Sequence, residues 1–427
     1  MHHKNIVHMR ISLINQRKER DKLLSQPYIQ RQLPYDAEQL LLNHNIKLIT
    51  GPRRVGKSTQ ALLMLRDTNF AYINFDDNSL LSAWDEDAAM DILEEVYPEY
   101  EYLLLDEVQN VDGWDVWVSK LHRRGVNMVI TGSNANMLSG EMATMLTGRY
   151  IEIKLLPFGL EEFCIARNID LHNVQEEDKI KLPHLLDEYL QMGGYPESVL
   201  QRSITQTYLS SLFDSIIYKD IVKRHKVRNV VEINNVAEYL LSNFCNLFSY
   251  NDLCSNLGLN SVSTVKKFTG YLHEPFLFFY LSRYNNKLQL MKKAPQKVYV
   301  VDNGLVYAKA FNISENIGRL LENQVFIELV RRGYDTARSL FYYRSRNDKE
   351  VDFVLRKGVH AETLLQVCYD MSLPKTEKRE VDSIIECAQE LHCTNLIIVT
   401  AREERVIEKN GYAVRVMPWE LFVCSDM

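Results

Sequence analysis

The sequence predicts an α/β protein: a parallel sheet flanked by helices, followed by further modules of mixed helix and strand. Three observations predict it. The stretch Gly51-Pro-Arg-Arg-Val-Gly-Lys57-Ser58-Thr59 fits the phosphate-binding pattern G-x-x-x-x-G-K-[ST]. Short apolar runs alternate with helical stretches from residue 46 to 156, as strands joined by helical crossovers do. Beyond 157 the chain turns mainly helical and later returns to mixed helices and strands.

The phosphate-binding stretch has a physical logic. Gly51 and Gly56 let the backbone wrap an anion so that successive N–H groups point inward. Pro52, Arg53, Arg54 and Val55 form the loop between them, and Thr59 continues into the helix. Lys57 reaches the β- and γ-phosphates as a mobile charge, and Ser58 puts its hydroxyl on Mg²⁺. The helix that starts here faces the phosphates with its positive end. Context agrees with the motif. Ile46–Thr50 reads as a buried strand before it, and Ala61–Leu65 continues a helix after it.

Composition narrows the class. The 427 residues are 46% hydrophobic and 25% charged, with net charge −6, which is an ordinary globular balance. That mild acidity argues against coating nucleic acid by charge alone. The seven cysteines (164, 245, 254, 368, 387, 393 and 424) are scattered without a C-x-x-C, so reduced thiols are expected rather than a disulfide frame or zinc site. No stretch approaches the roughly 18 apolar residues of a membrane span. The N-terminus is polar and basic. A soluble, cytoplasmic protein with no membrane partner is expected.

The chain opens with a charged helical stretch, Arg17-Lys-Glu-Arg-Asp-Lys22, read as a solvated face, then Pro27 and Pro34, then the stretch Ala37–Leu42. After the phosphate-binding helix, Phe70–Phe75 reads as a strand and Asp85–Val96 as a helix. Tyr102-Leu-Leu-Leu-Asp106-Glu107 is an apolar strand ending in two acids, the Walker B pattern. Asp106 there holds Mg²⁺ through its water shell, and Glu107 orients and deprotonates the attacking water. Both also fit a solvated turn. The strand Asn127–Thr131 ends in Gly132-Ser133-Asn134, where a polar residue such as Ser133 contacts the γ-phosphate or the water, or simply caps a helix. Leu146-Thr-Gly-Arg149 leads into a strand, and Arg149 supplies charge to the transition state from its own or a neighbouring subunit, or is structural.

These residues carry a resemblance. Gly-Pro-Arg-Arg-Val-Gly-Lys, Leu-Leu-Leu-Asp106-Glu107-Val-Gln109, Ile-Thr-Gly-Ser133, and Leu-Thr-Gly-Arg149-Tyr with Leu-Pro157-Phe resemble the prokaryotic AAA+ ATPases that carry a C-terminal domain of unknown function. The resemblance runs over nearly the entire chain. It implies ATP as the nucleotide, and relatives that often form rings. It also implies that Gly193-Gly194-Tyr195-Pro196 marks the start of the C-terminal domain, with Leu209–Arg228 as the helix that follows.

Four regions are expected: an ATPase domain with its lead-in at 1–156, a helical linker or lid at 157–228 with breaks at Pro183 and Gly193–Pro196, a winged helix at 229–310, and a nuclease-like domain at 311–427. Lys219, Lys223, Arg224, His225, Lys226 and Arg228 form a basic cluster that suits phosphate backbones or a solvated helix end. In the winged helix, Val236–Phe244, the segment after Ser249 and Ser261–Leu272 are the helices. The last exposes Ser263, Lys266 and Lys267, and strands follow at Phe276–Leu281 and Lys297–Val301. The final part resembles the PD-(D/E)xK nuclease fold, with Glu322 and Asp352 at its acid positions. Gln366 and Cys368 stand where Glu-x-Lys belongs, so a non-cleaving module is expected, although glutamine can offer an oxygen to metal. The functional expectation is a Mg²⁺-dependent ATPase. A DNA-binding regulator with ATP as a slow switch, and a metal-dependent nuclease, are the alternatives. DNA, a protein partner and a second copy of the chain are the candidate partners.

Overall fold

The computed structural model describes residues 2–33, 36–134, 146, 148–285, 287–309 and 317–425. Pro34 and Thr147 lie outside the described residues. The chain divides into two compact units, Met1–Leu156 and Pro157–Met427.

The first unit contains α1 (His2–Leu24), α2 (Ala37–Leu42), β1 (Ile46–Thr50), α3 (Lys57–Met64), β2 (Phe70–Asn74), α4 (Asn78–Ser82), α5 (Glu86–Val96), β3 (Tyr102–Asp106), α6 (Trp114–Arg123), β4 (Asn127–Gly132) and β5 (Tyr150–Lys154). The five strands form one sheet in the order β2-β3-β4-β1-β5, and every pairing is parallel. Burial on both faces explains why β3 is almost wholly apolar and why even Lys47 and Thr50 of β1 are buried. β4 is inserted between β1 and β3, so the chain crosses over it to bring the ends of all three together. Asp85 caps α5 by accepting from Ala88 N–H, and α5 runs on through Val96.

The charged face of α1 is not simply solvated, as expected from the sequence. Arg17 donates to the Val96 carbonyl at 2.6 Å and Arg20 to the Phe70 carbonyl at 2.5 Å. The Arg20 guanidinium also lies 4.8 Å from the Phe70 ring centre. Gln16 donates to the Asn74 carbonyl and accepts from its N–H at 3.0 and 2.9 Å. Side chains of α1 thus satisfy backbone groups along β2, the edge strand of the sheet.

The second unit begins with helices at Leu160–Ile165, Leu182–Met192, Pro196–Leu200 and Thr205–Ser215, the last continuing as a π-helical stretch over Ile216–Lys223. Pro183 does not break a helix. It lies in the first turn of one, where its missing N–H costs nothing. The Gly193–Gly194 pair does break the chain, for a packing reason. Gly193 has φ +68°, and a Cβ there would fall 1.9 Å from the Asp302 carboxylate. Gly194 N–H and Gly304 N–H donate to Asp302 at 2.7 and 2.8 Å.

Three helices follow, at Val230–Ser242, Tyr250–Asn256 and Val262–His273, the last two capped by Ser249 and Ser261. The first starts six residues before the expected Val236 because Asn229 accepts from Glu232 N–H and caps it there. They accompany an antiparallel sheet in the order β6-β8-β7, with β6 at Leu247–Phe248, β7 at Phe278–Leu281 and β8 at Gln296–Val300. The remainder is a six-stranded sheet in the order β13-β14-β12-β11-β10-β9. Its strands are β9 (Leu340–Arg344), β10 (Glu350–Lys357), β11 (His360–Val367), β12 (Leu396–Thr400), β13 (Arg405–Lys409) and β14 (Tyr412–Pro418). β9, β10 and β11 are antiparallel neighbours, while β12 joins β11 in parallel after the helix Pro374–Leu391. All seven cysteines are free thiols. Among the described residues no helix is long and apolar enough to cross a membrane.

Candidate nucleotide site

The ends of β1, β3 and β4 assemble the site. β1 delivers Gly51 with φ +151°, where a Cβ would fall 2.0 Å from the Leu155 carbonyl oxygen, so the close approach of loop to backbone admits only glycine. Gly56 takes φ +91° at the start of α3, and a Cβ there would meet nothing within 4 Å, leaving open space beside the loop. Arg54 also adopts a left-handed φ of +68°. The curved loop thus leads from Gly51 into the amino end of α3, the cradle that a phosphate requires.

Lys57 is 4% exposed and donates to the Pro52 carbonyl at 3.0 Å, so the lysine folds back on its own loop. Its ammonium is 3.5 Å from the Glu107 carboxylate. Ser58 donates to Asp106 at 2.8 Å, which brings together the two hard oxygens that suit Mg²⁺. Asp106 also accepts from the hydroxyls of Thr131 and, at 3.1 Å, Tyr72. Burial pushes the Asp106 carboxyl up, and the Glu107 charge adds to this; the bonds from Thr131, Ser58 and Tyr72 oppose it. The residues present therefore fit a hydrated divalent ion.

Glu107 stands one residue beyond β3 with φ +51°, a left-handed backbone for a non-glycine residue. It is fixed from several sides. Thr131 accepts from Glu107 N–H at 3.0 Å, Ser133 donates to its carboxylate at 3.2 Å, and the Gln109 amide donates to the same oxygen. Burial alone would raise the Glu107 carboxyl. The charges of Lys57 and Arg53 and the bonds from Gln109 and Ser133 outweigh it and bring the pKa below the usual value. The group is an ionised acceptor.

Arg149 is elsewhere. It precedes Tyr150, which pairs with Ile46 at the first residue of β1, whereas the phosphate loop follows Thr50 at the other end. Four strand residues separate those ends by about 13 Å. The Arg149 guanidinium donates to Ser119 on α6 at 3.2 Å. This placement sets the Arg149 guanidinium beside α6, at the opposite end of β1 from the phosphate loop.

Several residues at the site escaped sequence reading. Tyr72 within β2 and Thr131 late in β4 bond Asp106, and Gln109, beyond β3, bonds Glu107; no local pattern assigns these three a role. Arg31 is 9% exposed and donates to the Val55 carbonyl at 2.8 Å and the Leu156 carbonyl at 2.5 Å, tying the lead-in to the phosphate loop.

The second expected group, Glu322 with Asp352, is also brought together, but around a lysine. Lys297 on β8 lies 3.1 Å from Glu322, 2.9 Å from Glu350 and 2.8 Å from Asp352. Gln366 cannot serve a metal as it stands. Its oxygen accepts from Asp352 N–H at 3.2 Å and its amide donates to Glu380 at 2.9 Å. The Cys368 thiol donates to the Asp370 carbonyl at 3.3 Å. Sequence held one signal for this cluster: a lysine within the apolar run Lys297-Val-Tyr-Val-Val.

In the basic cluster, His225 meets Glu274 at 2.6 Å and stacks on Tyr271 with centroids 3.7 Å apart. Lys219, Lys223, Lys226 and Arg228 are exposed, as are Ser263, Lys266 and Lys267. The Lys267 ammonium lies 5.6 Å from the Tyr271 ring centre.

Residues 43–164 match the family model described as an AAA domain. Residues 183–316 match a domain of unknown function (DUF8612), and residues 317–422 match another (DUF4143). An uncharacterized protein of Methanocaldococcus jannaschii is 32% identical over 406 residues, 90% of this chain and 89% of its own. An uncharacterized protein of Haemophilus influenzae is 34% identical over 397 residues, 88% of this chain and 94% of its own. Among solved structures, the Walker-type ATPase of Pyrococcus abyssi is similar at a TM-score of 0.44 and 13% identity, over 67% of this chain and 99% of that one.

Proposed function

The chain belongs to the family of those two uncharacterized relatives and carries an AAA domain, and from that premise we propose that it is a Mg²⁺-dependent ATPase. One observation carries the reading: the ends of β1, β3 and β4 bring Lys57, Ser58, Asp106, Glu107 and Ser133 into one bonded group beside an open phosphate loop. Backbone N–H groups from Gly51 to Thr59 hold the phosphates, with Pro52, Arg53, Arg54 and Val55 shaping the loop. Lys57 leaves the Pro52 carbonyl for the phosphates. Ser58 and Asp106 hold Mg²⁺, which when bound neutralises charge developing on the phosphate oxygens. Glu107 accepts a proton from the attacking water, and Ser133 and Gln109 keep its carboxylate oriented. Arg149 enters only as a charge offered to a neighbouring subunit.

For the second unit we propose a winged helix at 229–310 and a nuclease-like domain at 311–427, joined to the ATPase by the helical region 157–228. Three capped helices with a small antiparallel sheet support the first. The order β9-β10-β11-β12, with its antiparallel pairs and final parallel pair, supports the second. The missing Glu-x-Lys and the committed Gln366 support binding rather than cutting.

Titration with a fluorescent ATP analogue, with Mg²⁺ or with EDTA, tests the reading. Saturable binding and Mg²⁺-dependent phosphate release are expected. No binding in either condition would remove it.

A DNA-binding regulator is the second reading, and one observation favours it. Tyr271 carries His225 on its face and lies near Lys267, so the basic segment 219–228 packs against the helix Val262–His273 through His225. Salt-dependent retardation of a DNA duplex, altered by ATP, is the expected result. Absence of retardation at low salt would leave a protein partner for this surface.

A further inference from the structure

Lys297 is 3% exposed and points into a pocket of carboxylates contributed by two separate parts of the fold. Glu322 comes from the helix Ile317–Arg331, and Glu350 and Asp352 come from β10. Asp352 falls where the pairing of β10 with β9 slips between Val351 and Val354, a bulge that re-aims the side chain. Every contact is fixed by a further group. Tyr299 donates to Glu322 at 2.8 Å, and Val367 N–H donates to the second Asp352 oxygen at 2.9 Å. Asn323 brackets Val300, donating to its carbonyl and accepting from its N–H at 2.9 Å each. This holds the helix that carries Glu322 against the strand that carries Lys297. Burial alone would pull the Lys297 ammonium down; the charges of Asp352, Glu322 and Glu350 outweigh it and keep the lysine protonated.

Three acid side chains on a helix and a bulged strand, converging on one point, are the donor set of a divalent-cation site built from hard oxygens. Here the point is taken. We infer that Lys297 is the resident cation of this cluster: its ammonium stands in place of a metal ion, neutralises the carboxylates and closes the site to divalent cations in the native protein. The inference concerns the second unit alone and stands whether or not the first hydrolyses ATP. The cluster is thereby a buried ionic tie between the β8 sheet and the six-stranded sheet. It also separates two possibilities that the acids left open, since a site filled by the chain's own lysine does not cleave phosphodiesters with Mg²⁺.

Removing the ammonium uncovers the donor set. A Lys297→Met side chain keeps the stem but leaves Asp352 and Glu322 without their counter-charge, while Glu350 keeps Arg344 at 3.5 Å, a costly state that a divalent ion relieves. The experiment uses the full chain without nucleotide and Mn²⁺ as probe, read by electron paramagnetic resonance and thermal midpoint. For wild type, the Asp352→Asn substitution changes no Mn²⁺ uptake. For Lys297→Met, one additional Mn²⁺ binds per chain, raises the midpoint, and is lost in Lys297→Met/Asp352→Asn. Wild-type uptake that depends on Asp352 would overturn the inference. So would a folded Lys297→Met protein that binds no additional ion. If Lys297→Met does not fold, acetylation of native wild type decides, with lysines mapped by mass spectrometry. Lys297 stays unmodified with and without Mn²⁺; labelling that appears with Mn²⁺ means that the metal displaces it, and the inference fails.

Discussion

The phosphate loop and the Lys297 cluster are built from the same parts and arrive at opposite states. Each has one nearly buried lysine, acidic side chains and a hydroxyl donor. Lys57 rests on a loop carbonyl at 3.0 Å and stands 3.5 Å from the Glu107 carboxylate, with a curved glycine loop beside it. Lys297 has three carboxylates within 3.1 Å. A lysine held loosely beside open backbone N–H groups is available to a ligand. A lysine with its donors engaged is already a structural ion. Residue type does not distinguish the two; the partners do.

The largest expected effect breaks this contrast from the open side. Lys57→Ala should weaken ATP binding by about 2–5 kcal/mol, because the phosphates lose their main protein charge, while the thermal midpoint stays close to wild type. Isothermal titration and a melting curve check both halves. A large fall in midpoint would mean that Lys57 is as structural as Lys297.

Asp302 sharpens the comparison as a buried acid held by the backbone N–H groups of Gly194 and Gly304, with the Arg331 charge acting on it as well. Burial pushes its carboxyl up to about 7, against those bonds and that charge. A folded pKa above the unfolded value means that the native state binds the extra proton. Stability from this group is therefore full below about pH 4 and declines as pH rises through about 7, by up to about 4 kcal/mol. Denaturant melts from pH 4 to 8 should show this decline, and Asp302→Asn should remove it. Parallel profiles for the two proteins would contradict the assignment.

Gly51→Ala tests the cradle itself. The added methyl meets the Leu155 carbonyl at 2.0 Å, so the loop must move, at about 1–3 kcal/mol or more, and nucleotide affinity should fall with it. Unchanged affinity would mean that the loop does not shape the site. Arg31→Ala removes two charged donors from loop carbonyls and should cost about 1.5–3 kcal/mol of stability of the first unit. Arg149→Ala is expected to do least: turnover of the dilute protein should not change, because the side chain lies at the end of β1 opposite the phosphate loop. A drop that appears only at high protein concentration would identify a role across a subunit boundary.

Much of this was legible in the sequence, for identifiable reasons. The strand, glycine loop and helix from Ile46 to Met64 follow from local chemistry, as do the two acids closing an apolar run at Asp106 and Glu107. Ser249 announces its helix by a capping pattern. What stayed hidden depends on distant pairings. The solvent side of Arg17 and Arg20 looked ordinary because only the folded sheet edge shows which carbonyls they satisfy. The Gly193–Gly194 break was visible, but its cause, Asp302, lies more than a hundred residues away. Lys297 reads as part of a wing strand because no local pattern reveals that Glu322, Glu350 and Asp352 surround it. The parallel register of β5 on β1, which sets Arg149 at the opposite end from the phosphate loop, is likewise a distant pairing.

The most direct test of the central claim is steady-state ATP hydrolysis by wild type beside Glu107→Gln, with nucleotide binding measured on the same samples. Wild type should turn over ATP with Mg²⁺, and Glu107→Gln should bind it with similar affinity while hydrolysing about 10²–10⁴ times more slowly. Equal turnover in the two proteins would show that the carboxylate held by Ser133 and Gln109 is not the base, and the catalytic assignment would fall.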